Sequence, residues 1–169
     1  MISHFLGHPV RLTVATLKFA FLSHLGLTHL FQVTPAQGAS MLPTFMVDGD
    51  WIAADMRHRL GRGIAVGDVV LYKIPLFPDQ NGVKRVLGMP GDYVSLGTPG
   101  ETGEEQMIQV PEGHCWIVGD NLSCSRDSRL FGPLPLALVQ GKVVAKILPW
   151  RERKWIASGV RQVAVDNPS

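Results

Sequence analysis

The chain has 169 residues, 46% of them hydrophobic, which is enough to bury one substantial core and too little for two large domains. Sixteen basic and fourteen acidic residues leave a net charge of +2, too mild for the electrostatic footprint of a nucleic-acid binder. Cys115 and Cys124 form neither a disulfide framework nor a CxxC pair, and the six histidines are scattered, so no metal and no cofactor is expected.

The first acidic residue is Asp48, whereas Arg11 and Lys18 lie before it. Within this acid-free quarter, residues 12–31, LTVATLKFAFLSHLGLTHLF, form a twenty-residue apolar stretch. As a helix it is long enough to cross a hydrocarbon core of about 30 Å. Its ten Leu, Val and Phe side chains favour insertion by about 3 to 6 kcal/mol, against roughly 2.5 to 3.5 kcal/mol for a central Lys18, so insertion is marginally favourable. A single membrane anchor is the reading adopted; an organelle-targeting helix and a buried helix are the alternatives. This divides the chain into an anchor or targeting helix (1–35), a β domain (36–150) and a basic, weakly ordered tail (151–169).

Beyond residue 47 short β-branched runs alternate with Gly, Pro and Asp. The fold class expected is mainly β, a domain of antiparallel strands behind one N-terminal apolar helix. Strands are predicted at 51–55, 68–74, 83–88, 92–97, 106–110, 114–120 and 141–150. PDQNG, MPGD, TPGETGEE and PEG supply the turns, and LPLALVQ one helical turn.

Three segments could carry chemistry. In QGASMLPTF, Ser40 follows two small residues, but Leu42 stands where a G-x-S-x-G elbow needs glycine. A serine nucleophile here needs a base from elsewhere, and a buried lysine serves, because desolvation favours the neutral amine. Lys84 in GVKRVLGMPGD is the candidate: strand alternation sends Lys84 and Arg85 to opposite faces, so one points toward the apolar side. Taken alone, the same pair suits a strand edge facing water. The third segment, GDNLSCSRDSRLFGPLP, is too polar for a simple hairpin. In extended chain Asp127 and Arg129 share a face and pair, and Ser125 or Ser128 can reach a lysine; a solvated loop has the same composition.

In this order, SMLPT, RGIAVGDVV, KRVLGMPGD and GDNLSCSRDSRLFGPLP resemble the serine-lysine type I signal peptidases over residues 38–147. Within that family the short core and the Gly-Pro-Leu-Pro ending look most similar to the mitochondrial inner-membrane branch. The resemblance implies that Ser40 is the nucleophile and Lys84 the general base. It further implies that Ser125 orients the lysine, that Asp127 and Arg129 form a supporting pair, and that the Ser40 backbone N–H is an oxyanion donor. Bacterial members carry a hydroxyl two positions before the nucleophile, where this chain has Gly38. Only 34 residues separate Lys84 from Gly119, which leaves no room for the extra β domain of many bacterial members.

The activity implied is a membrane-anchored serine endopeptidase that removes leader peptides from precursor proteins. Small substrate side chains would enter shallow apolar pockets near Met41 and the Val83–Val86 strand. The implied location is the mitochondrial inner membrane with the β domain facing the intermembrane space, or alternatively a bacterial inner membrane, and the implied partner is a second, related protease subunit. A non-catalytic scaffold subunit is one other reading. A self-cleaving repressor-like domain is another, but it needs a helix-turn-helix upstream of Ser40, where only 39 mostly apolar residues stand.

Overall fold

The computed structural model describes residues 9–97 and 106–159. Helix α1 (Pro9–Leu30) opens on a proline, the residue best tolerated at a first helical position. Thr13 and Thr16 turn their hydroxyls back onto the carbonyls of Pro9, Val10 and Leu12, so these polar groups are satisfied within the helix. Val10, Leu17, Phe19, Phe21 and Leu22 are exposed on its surface. No helix among the described residues is long and apolar enough to cross a membrane. α1 has the length expected of the segment at 12–31, but Lys18, His24 and His29 dilute its apolar content.

The helix stops at Leu30 because the next residues are claimed by a sheet. Phe31–Ala36 form strand β1, which pairs antiparallel with β2 (Asp50–Asp55) from Phe31–Asp55 to Ala36–Asp50. The β domain therefore begins at Phe31. It continues with β3 (Val69–Ile74), β4 (Phe77–Gly88), β5 (Tyr93–Ser95), β6 (Met107–Gln109), β7 (His114–Val118), a short helix α2 (Ser128–Phe131), β8 (Leu134–Pro135), β9 (Val139–Leu148) and β10 (Lys154–Trp155). Eight strands make an antiparallel sheet in the order β1-β2-β9-β3-β4-β7-β8 with β10 on β9, and β5 pairs with β6 separately.

All seven expected strands are present, with ends trimmed or extended by a few residues. PDQNG is not a turn. The β3–β4 hairpin reverses at Pro75-Leu76, and the register jumps from Lys73–Asn81 to Ile74–Phe77, so residues 78–80 form an insertion within one long strand. The expected turn at residues 98–105 lies outside the described residues, as do residues 160–169 of the expected tail. Residues 151–159 are held in place: Trp150–Glu152 form a 3-10 turn, β10 pairs with β9, and buried Lys146 bridges Asp50 at 2.8 Å and Glu152 at 2.7 Å. Trp155 itself is 82% exposed.

The core explains why β3 reads as an unbroken apolar run. Val69 and Leu71 enter a cluster with Met41, Phe45, Ile52 and Val143, whereas Val70 and Tyr72 enter a second with Val86, Ile117 and Leu134. A strand buried on both faces has no polar side to alternate with. Cys115 lies in the second cluster, where burial pushes its thiol up to about 12, and Cys124 is exposed; both are free.

Candidate active site

Ser40 sits on a 3-10 turn, Ala39–Met41, directly after β1. Gly38 makes the corner, with φ of 101°, a backbone state that side chains rarely adopt, and its N–H donates to the Val47 carbonyl at 2.8 Å. Met41 and Phe45 plunge into the first core cluster, so the turn is pinned by apolar burial immediately after Ser40.

Lys84 approaches from β4. It lies opposite Val70 in the β3–β4 ladder and is only 6% exposed, so it occupies a position whose neighbours are core residues. Its Nζ stands 2.7 Å from Ser40 Oγ and donates to the Val83 carbonyl at 3.1 Å. Burial pushes the Lys84 ammonium below its ordinary pKa, and the charges of Asp127 and Asp120 only partly oppose this. Neither lysine nor arginine of the pair faces water. Arg85, on the opposite face, closes on Asp120 through Nε and a terminal nitrogen, both at 2.8 Å, and donates to the Gly67 carbonyl at 2.8 Å; Thr44 also donates to Asp120.

The polar segment after β7 closes the third side. Asp127 and Arg129 do pair, with Nε to Oδ1 at 2.9 Å and a terminal nitrogen to Oδ2 at 3.0 Å, but in a helix cap rather than in extended chain. Asp127 is the N-cap of α2 and also accepts the Arg129 backbone N–H at 3.2 Å and the Gly119 N–H at 3.0 Å. Burial alone would raise its carboxyl, yet the Arg129 guanidinium and these donors outweigh burial and hold it below the usual carboxylate range. Ser125 adds to this from close by, although its buried Oγ meets no partner at hydrogen-bonding geometry. Ser128 instead accepts the Ile117 N–H at 3.0 Å.

Ser125 reaches the Ser40 turn through Gly119. A Cβ on Gly119 would lie 2.3 Å from Ser125 Oγ and 2.4 Å from the Ser40 carbonyl oxygen, so the backbone at 119 is wedged between them. Asn121 grips the same turn: its N–H donates to the Ser40 carbonyl at 3.0 Å and its side-chain Nδ2 to the Ala39 carbonyl at 3.1 Å. Sequence reasoning assigned no role to Gly119, Asp120, Asn121 or Arg85. Asp120 and Arg85 find each other 35 residues apart in the chain, and Asn121 grips backbone carbonyls of residues 39 and 40, which leave no mark on residue type.

The site opens into a groove of about 970 Å³. Met41 and Val83 line it, as expected, whereas Val86 faces the core. The lining is mainly apolar, with Phe45, Ile74 and Phe131 among its residues, and Gln37, Gln80, Asn81, Arg126 and Tyr72 add polar groups to it. Burial, and then the charge of Asp127, push the Tyr72 hydroxyl up to about 12, so it is a neutral hydrogen-bonding group at ordinary pH. Among the described residues no three His, Cys, Asp or Glu side chains converge as a metal site.

The family model for signal peptidase, peptidase S26, matches residues 10–99 and 97–150. The chain is 35% identical to mitochondrial inner membrane protease subunit 1 of Schizosaccharomyces pombe over 157 residues, covering 92% of this chain and 97% of that protein. It is 36% identical to the Homo sapiens protein of the same name over 149 residues, 88% of this chain and 89% of that one. It is also 41% identical over 134 residues to mitochondrial ATP-independent inner membrane protease subunit 1a of Arabidopsis thaliana, 78% of this chain and 79% of that one. Among solved structures, a signal peptidase I from Enterococcus faecalis V583 aligns with 48% of this chain and 97% of that chain, at a TM-score of 0.41 and 23% identity. With the family model covering most of the chain and relatives similar over nearly their whole length, the chain belongs to the signal peptidase family, peptidase S26.

Proposed function

We propose that the chain is a serine endopeptidase that removes leader peptides from precursor proteins with a Ser40–Lys84 dyad. The observation that carries this reading is the 2.7 Å approach of a buried Lys84 Nζ to Ser40 Oγ. A lysine whose pKa is depressed by burial supplies a neutral amine that accepts the serine proton.

The leader peptide lies in the groove as an added strand. β1 is an edge of the sheet and its Thr34–Ala36 segment lines the groove, so main-chain hydrogen bonds to it would align the scissile bond. Ser40 Oγ attacks the scissile carbonyl while Lys84 takes the hydroxyl proton. Lys84 returns that proton to the leaving amine as the C–N bond breaks, and the Ser40 N–H stabilises the oxyanion. Water, deprotonated by Lys84, then hydrolyses the acyl-enzyme. Asp127, Arg129 and Ser125 support the lysine side of the site, with Ser125 orienting the amine as it transfers its proton.

The names of the relatives and the exposed apolar side chains of α1 support a place at the mitochondrial inner membrane, with the β domain in the intermembrane space. In this reading α1 meets the membrane or a helix of a second, related protease subunit. The test is cleavage of a precursor by purified Ser40→Ala and Lys84→Met variants: both are expected to fold and to lose cleavage, and full activity in either would refute the dyad.

A further inference from the structure

Asn121 holds both peptide units that flank Ser40. The Ala39 carbonyl and the Ser40 N–H belong to one planar trans peptide and point in opposite directions. The Ala39 carbonyl takes two donors, the Asn121 Nδ2 at 3.1 Å and the Leu42 N–H of the 3-10 turn at 3.3 Å, so the shorter Asn121 bond helps to fix where the Ser40 N–H points. The Asn121 N–H bond to the Ser40 carbonyl at 3.0 Å fixes the next peptide unit. The amide's own orientation is set as well, because Ser123 Oγ donates to Asn121 Oδ1 at 3.0 Å, leaving Nδ2 as the group facing Ala39.

We infer that Asn121 is a positioning residue that aims the Ser40 N–H at the oxyanion, a role resting on the Ser40 reading above. Position 38 is a glycine and offers no hydroxyl to share this task, so the aim of one backbone donor weighs more here. Preorganised donors act on the transition state and not on the bound substrate, so loosening one lowers turnover and leaves binding alone. Removing such a donor outright costs about 100- to 1,000-fold in turnover; releasing its anchor is expected to cost roughly 10- to 100-fold.

The experiment uses the full chain with a leader-peptide substrate and a peptide aldehyde, whose adduct with Ser40 carries the oxyanion. Asn121→Ala keeps the backbone bond and removes only the side-chain one. Its kcat is expected to fall roughly 10- to 100-fold with KM within about twofold, and aldehyde affinity to fall by the same factor as kcat. Asn121→Asp, which sets a carboxylate oxygen against the Ala39 carbonyl, is expected to fall at least as far. Ser123→Ala is exposed enough to fold regardless, and by freeing the amide to turn it is expected to lower kcat about threefold or more. Unchanged kcat in Asn121→Ala overturns the inference, as does a loss confined to KM. Should both Asn121 variants fail to fold, unchanged kcat in Ser123→Ala overturns it instead. Ser40→Ala separates the two claims: if it still cleaves, the Ser40 reading fails; if it is dead while Asn121→Ala turns over normally, only the positioning role fails.

Discussion

Gly119 and Ser40 touch so closely that a single methyl group cannot be placed between them: a Cβ on Gly119 would stand 2.4 Å from the Ser40 carbonyl oxygen. The obstacle is backbone, itself held by Asn121, so it has no rotamer through which to give way. Gly119→Ala is therefore expected to cost about 1–3 kcal/mol of stability, as overpacking does, and to lower cleavage more than tenfold by shifting the nucleophile. Denaturant midpoints and initial rates measured on the same preparation check both.

In the proposed dyad, the acid side of the pH–rate profile reports Lys84. Below its burial-depressed pKa the amine is protonated and cannot act as base, so kcat/KM is expected to fall about tenfold per pH unit there. Asp120 raises the Lys84 pKa by its negative charge. Asp120→Asn removes that charge and leaves Arg85 uncompensated, so the acid limb should move to lower pH, even where the maximal rate also drops. A limb that stays in place or moves to higher pH contradicts this assignment.

The same burial makes Lys84 a cost to the fold. Its folded pKa lies below the unfolded value, so the folded state binds fewer protons between the two and stability rises with pH across that window. Lys84→Met abolishes the penalty. It is expected to be more stable than the parent by roughly 0.5–2 kcal/mol near neutral pH, with the gap narrowing as pH climbs toward the lysine's ordinary pKa. Urea melts at several pH values give the comparison.

Asp127 behaves in the opposite sense. Its lowered pKa stabilises the fold above the ordinary carboxylate range, and this contribution is lost as pH falls through the lowered value. Arg129→Ala strands a fully buried carboxylate and is expected to cost about 3–5 kcal/mol at neutral pH and less in acid, where Asp127 takes up a proton. Arg129→Lys restores the charge without the two-pronged grip and should fall between. Thermal midpoints across pH 4 to 8, the ordinary range for such melts, discriminate the three proteins.

The strands were legible because their β-branched runs and Gly-Pro punctuation are local properties, whereas alternation sent one of two adjacent cations inward without saying which, and only the family resemblance singled out Lys84. What escaped is non-local. Phe31–Ala36 carries no break from the helix before it and becomes a strand only because β2 offers a partner along its whole length. PDQNG has turn chemistry, but the ladder to β3 absorbs it as an insertion. The Asp127–Arg129 pair was foreseen in the wrong backbone, since the sequence did not reveal that Asp127 would cap a helix. Gly119 and Asn121 act on carbonyls of residues 39 and 40, and a grip on backbone is indifferent to the side chains it holds.

Strand β4 presents two cations in succession, one to each face, and only the ladder to β3 decides which meets Ser40. Arginine does not surrender its proton in proteins, so a hairpin slipped by one residue would bring a guanidinium to the serine and hold it without ever accepting a proton. Such a molecule would be folded and inert. The bulge at residues 78–80 absorbs chain length at the tip of the hairpin, away from that pairing, so length variation there can be tolerated while the choice between a working protease and a silent one is kept in the Val69–Arg85 and Val70–Lys84 rungs.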